Sequence, residues 1–342
     1  MNQSLKNQPF SIGIDVSKLT LDVSALNAAA AHHYMRFDNN KAGFGKLHHW
    51  LLSLEGFSFP GALFCLEHTG IYSRQVVEFL LLKQAKVWLE SSLHLKRSMG
   101  MTRGKNDKID SVRIARYAMI NRQAAKLVSP SDGTLQLLQD LLSGRKRVDK
   151  ALQAIKVSLK ELGAVDKAAG KELAKLNAPA LLGLVKTKKA IEKRMQELIM
   201  ADAELNRLYE LVTSIKGVGP VLTTELLIYT HRFTRMTSPK QLACYSGVAP
   251  FAHTSGTSIR GKMGTSNFAN MGLKSTLFLA AMSSTQYVPE IKQYYNRKLA
   301  EGKTKMCVIN AVRNKLLHRI LAVVKRGTPY VLEYAELNLA KS

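Results

Sequence analysis

At 342 residues the chain has room for two or three domains, and an apolar fraction of 46% excludes a mostly disordered polypeptide. Its 50 Lys and Arg against 25 Asp and Glu leave a net charge of +25, an excess that asks for a polyanionic partner, of which nucleic acid is the usual one. Apolar runs such as Phe79 to Leu82 are too short to span a bilayer, and no secretory leader pattern opens the chain. Cys65, Cys244 and Cys307 fit no zinc or disulfide spacing, so a cytoplasmic protein without membrane contact is expected.

The first segment, residues 1–130, alternates element types. Phe10 to Asp15 reads as a strand with Phe10, Ile12 and Ile14 on one face. Leu19, Leu21 and Val23 alternate again to make a hairpin, and Tyr34 to Phe37 reads as a third strand. Phe44, Leu47, His48 and Leu51 have helical spacing, Ala62 to Leu66 is a short buried strand, and Tyr72, Val76, Phe79 and Leu80 mark a helix. Val87 to Leu89 gives a further strand and Ile109 to Met119 a further helix. The order β-β-β-α-β-α-β-α describes an α/β layer that opens on an antiparallel hairpin.

The texture changes near Ser129-Pro130-Ser131. Between 131 and 213 Val148, Leu152, Ile155, Leu159 and Leu162 step by four and three, a heptad seam, and a second runs Ile191, Met195, Leu198, Leu205, Leu208 and Val212, interrupted by Asp202. Two helices joined between Ala164 and Pro179 read either as an antiparallel hairpin or as an oligomer-forming coiled coil. Residues 214–342 carry 18 basic and 5 acidic residues, making this helical segment the expected main nucleic-acid surface. It opens on Lys216-Gly217-Val218-Gly219, resembling a helix-hairpin-helix turn, whose glycines would let backbone amides approach a phosphate; an ordinary inter-helix turn reads the same way. Ser246 to Asn267 is rich in Gly, Ser and Thr, and Thr254 to Ser258 within it reads as a flexible polar loop.

Three acidic features stand out because the first segment is basic overall. Asp15 ends the first strand, where RNase H-like nucleases hold a metal and actin-like kinases place a phosphate-binding acid. Glu67 follows the apolar Phe64-Cys65-Leu66, a costly place for a carboxylate unless it is paired or metal-bound; a loop or capping role is the competing reading. Asp107 and Asp110 lie three apart on one face of a first helical turn, where capping alone would also explain them. Lys105 and Lys108 flank them as phosphate contacts. Together the four acids make a plausible two-metal cage of hard oxygen ligands, suited to Mg²⁺ or Mn²⁺ and to phosphodiester cleavage. The histidines form no metal-ligand pattern.

Gly13-Ile14-Asp15, Glu67-His68-Thr69-Gly70 and Asn106-Asp107-Lys108-Ile109-Asp110 resemble the DEDD transposases of bacterial insertion sequences. So do Ile215 to Gly219, Ala243 to Pro250 and Thr254 to Gly261 in the second half. This family includes pilin-gene DNA invertases and RNA-guided recombinases. The resemblance implies a RuvC-like, RNase H-like domain over 1–130 and a helical transposase domain over 214–342, and the heptad seams make 131–213 a coiled-coil linker between them. It implies metal held by Asp15, Glu67, Asp107 and Asp110, and a nucleophilic serine at Ser255, with Ser258 its competitor from residues alone; Arg260 and Lys262 would steady the phosphoryl charge. It implies DNA as substrate, a dimer or tetramer, an element-encoded structured guide RNA in some members, and a nucleoid-associated place in a bacterial cytoplasm. A structure-selective nuclease, an actin-like kinase and a non-catalytic basic DNA-binding protein are the rival readings.

Overall fold

A computed structural model describes residues 10–27, 31–68, 70–98, 106–128, 132–255, 259–265 and 268–331, with the side chains of 251–263 left out. The chain divides into two compact units, Met1–Pro130 and Ser131–Ser342.

The first unit is built on a five-stranded sheet. β1 (Ser11–Val16), β2 (Thr20–Leu26) and β3 (His32–Asp38) form an antiparallel meander, followed by α1 (Lys41–Leu52), β4 (Leu63–Glu67), α2 (Arg74–Leu82), β5 (Lys86–Glu90), α3 (Ser92–Ser98) and α4 (Asp107–Ile120). The spatial order is β3-β2-β1-β4-β5, with β1, β4 and β5 parallel. This is the α/β layer expected from the alternation, with α3 as an addition.

Period-two alternation sorts the side chains onto two faces. Ile12, Ile14, Leu21, Val23, Phe64, Leu66 and Val87 point toward α1 and α2, which close that side with Phe44, Leu47, Leu51, Val76 and Leu80. Each such side chain, fully buried, stabilises by about 1.5–3 kcal/mol. The opposite phase, Leu63, Cys65 and Trp88, packs against Leu95 of α3 and Ile114 and Ala118 of α4. Gly13 makes α4's close approach feasible, because a Cβ there would overlap the backbone of Ser111 and Ala115. The buried Ser24 and Ser111 hydroxyls, 2.8 Å apart, pin the same helix to β2.

The second unit is helical. α5 (Gly133–Val165) and α6 (Lys167–Ala201) fold back on each other around Asp166, which caps α6 by accepting from the amides of Ala168 and Ala169. Pairs such as Arg145–Glu192 and Lys188–Asp149 have a nearly constant residue sum, so the two helices are antiparallel. Within the chain, the two seams therefore form the antiparallel hairpin. Pro179 lies inside α6 rather than in the connection; it removes one backbone donor, which a helix of this length tolerates. Asp202, where the second seam breaks, is the N-cap of α7 (Ala203–Thr213). Then come α8 (Pro220–Tyr229), α9 (Pro239–Tyr245), the β6–β7 hairpin (Pro250–Ser255 and Ile259–Thr265), α10 (Met271–Tyr287), α11 (Pro289–Ala300) and α12 (Lys305–Arg326). The two strands were not expected, since glycines and threonines hide their pattern; of the loop expected over Thr254 to Ser258, residues 256–258 lie outside the described residues. Among the described residues no helix is long and apolar enough to cross a membrane.

The root of the α5–α6 hairpin is tied to the rest of the unit by charge. Arg232 contacts Asp132, the N-cap of α5, at 2.6 Å, and Asp202, the N-cap of α7, at 2.7 Å. His231, Arg232 and Phe233 all have positive φ, an uncommon run of non-glycine residues. The clamp and the burial of Phe233 offset its strain.

Candidate active site

The phase of the sheet that faces α4 carries the acids. Asp15 is the penultimate residue of β1, Asp22 is its cross-strand partner in β2, and Glu67 ends β4 beside Glu90 of β5. Asp107 and Asp110 occupy the first turn of α4, begun by Asn106, whose side chain accepts from the Lys108 amide at 3.0 Å. Because Gly13 draws the helix onto β1, this first turn lies over the end of the strand that holds Asp15.

Asp15 registers the crowding. Its pKa rises from 3.8 to about 6, first because burial penalises the charged form, then because Asp107, Asp110, Glu67 and Asp22 repel it. Asp15, Glu67, Asp107 and Asp110 thus share one electrostatic neighbourhood.

Two arginines hold the helix acids. Arg36 of β3 donates from Nε to both oxygens of Asp22 at 3.0 and 3.2 Å, and from Nη2 to Asp107 at 3.3 Å. Asp22 is 2% exposed and also accepts from the Tyr34 hydroxyl at 2.6 Å, so its charge is matched within the fold. Arg113 donates to Asp110 at 2.9 Å. Glu90 turns away, accepting from the Ser91 amide, His94 and the Tyr117 hydroxyl. Burial and that bond push Tyr117 up to about 12.

The all-carboxylate donor set suits a hard divalent cation, and the repulsion on Asp15 is of the kind a cation relieves. Among the described residues no three His, Cys, Asp or Glu side chains are grouped closely enough to hold a metal. Asp107 and Asp110 are turned to Arg36 and Arg113, so coordination requires both to swing from those partners. Asp107, 56% exposed, has room to do so.

The remaining sequence candidates are dispersed. Lys108 is exposed, its ammonium 4.8 Å from the centre of the Tyr34 ring. Lys105 and Ser258 lie outside the described residues, as do the side chains of Ser255, Arg260 and Lys262. The backbone places Ser255 at the end of β6 opposite Ile259, with Thr254 opposite Arg260. Lys216 is exposed. Gly217 has φ +96°, and a side chain there would overlap Ser284 of α10, so its packing alone accounts for glycine. Gly219 is the N-cap of α8 and faces open space.

Sequence reasoning missed Asp22, Arg36 and Glu90. Asp22 sits in the polar phase between Leu21 and Val23, and Glu90 ends its strand as Glu67 does, so both signals were present. Arg36 needed the β2–β3 register, which sets it opposite Asp22.

A carboxylate cluster on an α/β sheet, followed by a basic helical unit, suits a protein that acts on nucleic acid, and comparison narrows it. A DEDD transposase family model of the IS110 type matches residues 12–162, and a model described as the transposase IS116/IS110/IS902 family matches 209–296. The pilin gene-inverting proteins of Moraxella bovis and Moraxella lacunata are 27% and 26% identical over 326 and 323 residues, in each case 93% of this chain and 97% of theirs. The insertion element IS110 uncharacterized 43.6 kDa protein of Streptomyces coelicolor is 29% identical over 153 residues, 45% of this chain and 36% of that protein. The chain belongs to the DEDD transposase family of bacterial insertion sequences.

Proposed function

We propose that this protein cuts and rejoins DNA, with an RNase H-like carboxylate site and a serine nucleophile. The observation that carries the reading is that Asp107, Asp110 and Glu67 all act electrostatically on Asp15 at one end of one sheet face, in a chain whose relatives are named for inverting pilin genes. The strand order β3-β2-β1-β4-β5, antiparallel then parallel, supports the RNase H-like assignment. Asp15, Glu67, Asp107 and Asp110 would hold Mg²⁺ or Mn²⁺. When bound, the metal supplies Lewis-acid stabilisation of charge on the reacting phosphate.

The Ser255 oxygen attacks the scissile phosphorus, forming a phosphoserine ester while one deoxyribose–oxygen bond to phosphorus breaks. The departing hydroxyl gains a proton and the serine loses one. Rejoining reverses the exchange with a new hydroxyl, so the phosphodiester bond energy is retained and no nucleotide cofactor is consumed. Arg260 and Lys262 steady the phosphoryl oxygens, and Lys105, Lys108, Lys216 and the Gly217–Gly219 turn bind the backbone. The same reading has domains at 1–130, 131–213 and 214–342, the middle one a coiled-coil linker. It includes assembly as a dimer or tetramer and guidance by an element-encoded RNA, to which the net charge of +25 lends support.

Covalent trapping tests it. On a nicked DNA substrate carrying the element's ends, wild-type protein should leave a denaturation-resistant adduct that maps to the peptide containing Ser255. Ser255→Ala should bind DNA without forming the adduct, and Ser258→Ala should retain it. An adduct formed by Ser255→Ala would leave direct hydrolysis as the chemistry.

A further inference from the structure

Residues 289–326 hold ten Lys and Arg against two acids, and α12 contains no acid in 22 residues. Both acids are already engaged. Glu290 pairs with Arg319 at 2.8 Å and accepts from the Tyr330 hydroxyl at 2.9 Å, while Glu301 pairs with Lys298 at 2.6 Å. Lys292, Lys303, Lys305 and Lys315 make no ion pair among the described residues.

The helix sorts its side chains so that this charge is concentrated. Val308, Val312, Leu316, Leu317 and Ile320 are buried. Asn314, Lys315 and His318 are exposed on the opposite side, one turn apart, with Arg319 half-buried at their edge. With Ala311 and Tyr294 they line an open groove of about 490 Å³ between α11 and α12. Ala311, small, leaves the space.

The donors in it are held in place. The Lys315 ammonium stands 4.4 Å from the centre of the Tyr294 ring, with the Arg297 guanidinium at 5.8 Å from the same ring. An aromatic face holds a cation without the competing charge of an acid, so Lys315 stays available to a ligand. Arg319 is fixed by Glu290 and by the Tyr330 ring at 5.3 Å. An amide, an ammonium, an imidazole and a guanidinium thus line one groove with an aromatic wall. A string of phosphates beside sugar and base surfaces matches that set of groups.

We propose that the α11–α12 groove binds the phosphodiester backbone of a nucleic acid, with Lys315 and His318 as phosphate donors and Tyr294 as the apolar wall. The assignment extends the reading of a DNA-handling protein to a named surface, and it stands even if the carboxylate site is inert. Both duplex DNA and a structured RNA present this chemistry, and binding by each can be measured separately.

The test uses full-length protein and fluorescence anisotropy, with a labelled DNA duplex and a labelled RNA hairpin of equal length, between about 50 and 200 mM salt. Lys315→Glu is expected to weaken one or both by about tenfold and to lower the salt slope by about 1. Lys315→Arg should bind as wild type. Lys41→Glu makes the same charge change on α1, across the sheet from the acids, and should alter affinity by less than about twofold. Loss on the duplex assigns the groove to DNA, and loss on the hairpin to RNA. Unchanged affinity and slope for both ligands would overturn the proposal, as would an equal loss from Lys41→Glu, which would show that only overall charge matters.

Discussion

Asp15→Asn should stabilise the metal-free protein while abolishing its activity. Asp15 is half-buried among like charges, and its pKa rises from 3.8 to about 6. A folded-state pKa above the unfolded one means that the native protein binds more protons between those values, so stability falls as pH rises through the window. Full linkage over that range is worth about 3 kcal/mol; partial exposure and solvent screening reduce it to about 1–2 kcal/mol. Urea denaturation in EDTA should therefore show little difference between wild type and Asp15→Asn near about pH 4. A gap of about 1–2 kcal/mol in favour of the variant should be complete by about pH 7. Adding Mn²⁺ near about pH 7 should stabilise wild type and leave the variant nearly unmoved. A variant less stable than wild type near neutral pH, with no widening gap, would refute the idea that repulsion and desolvation dominate at Asp15.

Gly13→Ala should destabilise by about 1–3 kcal/mol in thermal unfolding, because its Cβ meets the α4 backbone rather than a movable side chain. Arg232→Ala should destabilise by about 1–3 kcal/mol by orphaning Asp132 and Asp202. The Arg232 hydrogen bond holds Asp202 at about 2, so wild type should lose this contribution as pH falls from about 4 toward 2; the variant's acid unfolding curve should lack that step. Gly217→Ala should lower the melting temperature through its positive φ and its contact with Ser284. Gly219→Ala should leave melting nearly unchanged and lower DNA affinity in a gel shift if its amide approaches phosphate.

The α/β order was legible because the strands alternate cleanly: Ile12 and Ile14, then Leu21 and Val23, point one way, leaving Asp15 and Asp22 in the other phase. The strand ends that carry Asp15 and Glu67 and the helix start that carries Asp107 and Asp110 were legible in the same way. What did not follow depends on register and three-dimensional contact. Arg36 is opposite Asp22 only once β3 is paired to β2, and Arg232 reaches two helix caps 70 residues apart in sequence only after the hairpin folds back. Pro179 argued for a break that α6 does not make, since a long helix packed along a partner absorbs one missing donor. Gly217, read first as a phosphate-binding glycine, has a packing reason visible only when α10 lies beside it.

The most direct test is strand exchange on a supercoiled plasmid carrying the element with its own flanking DNA, comparing wild type with Asp15→Asn and Asp110→Asn in Mg²⁺ and in EDTA. Rearranged plasmid should form with wild type in Mg²⁺ alone, and neither variant should make it although both bind the DNA. Rearrangement by the variants at the wild-type rate, or in EDTA, would contradict a carboxylate–metal site at the end of β1.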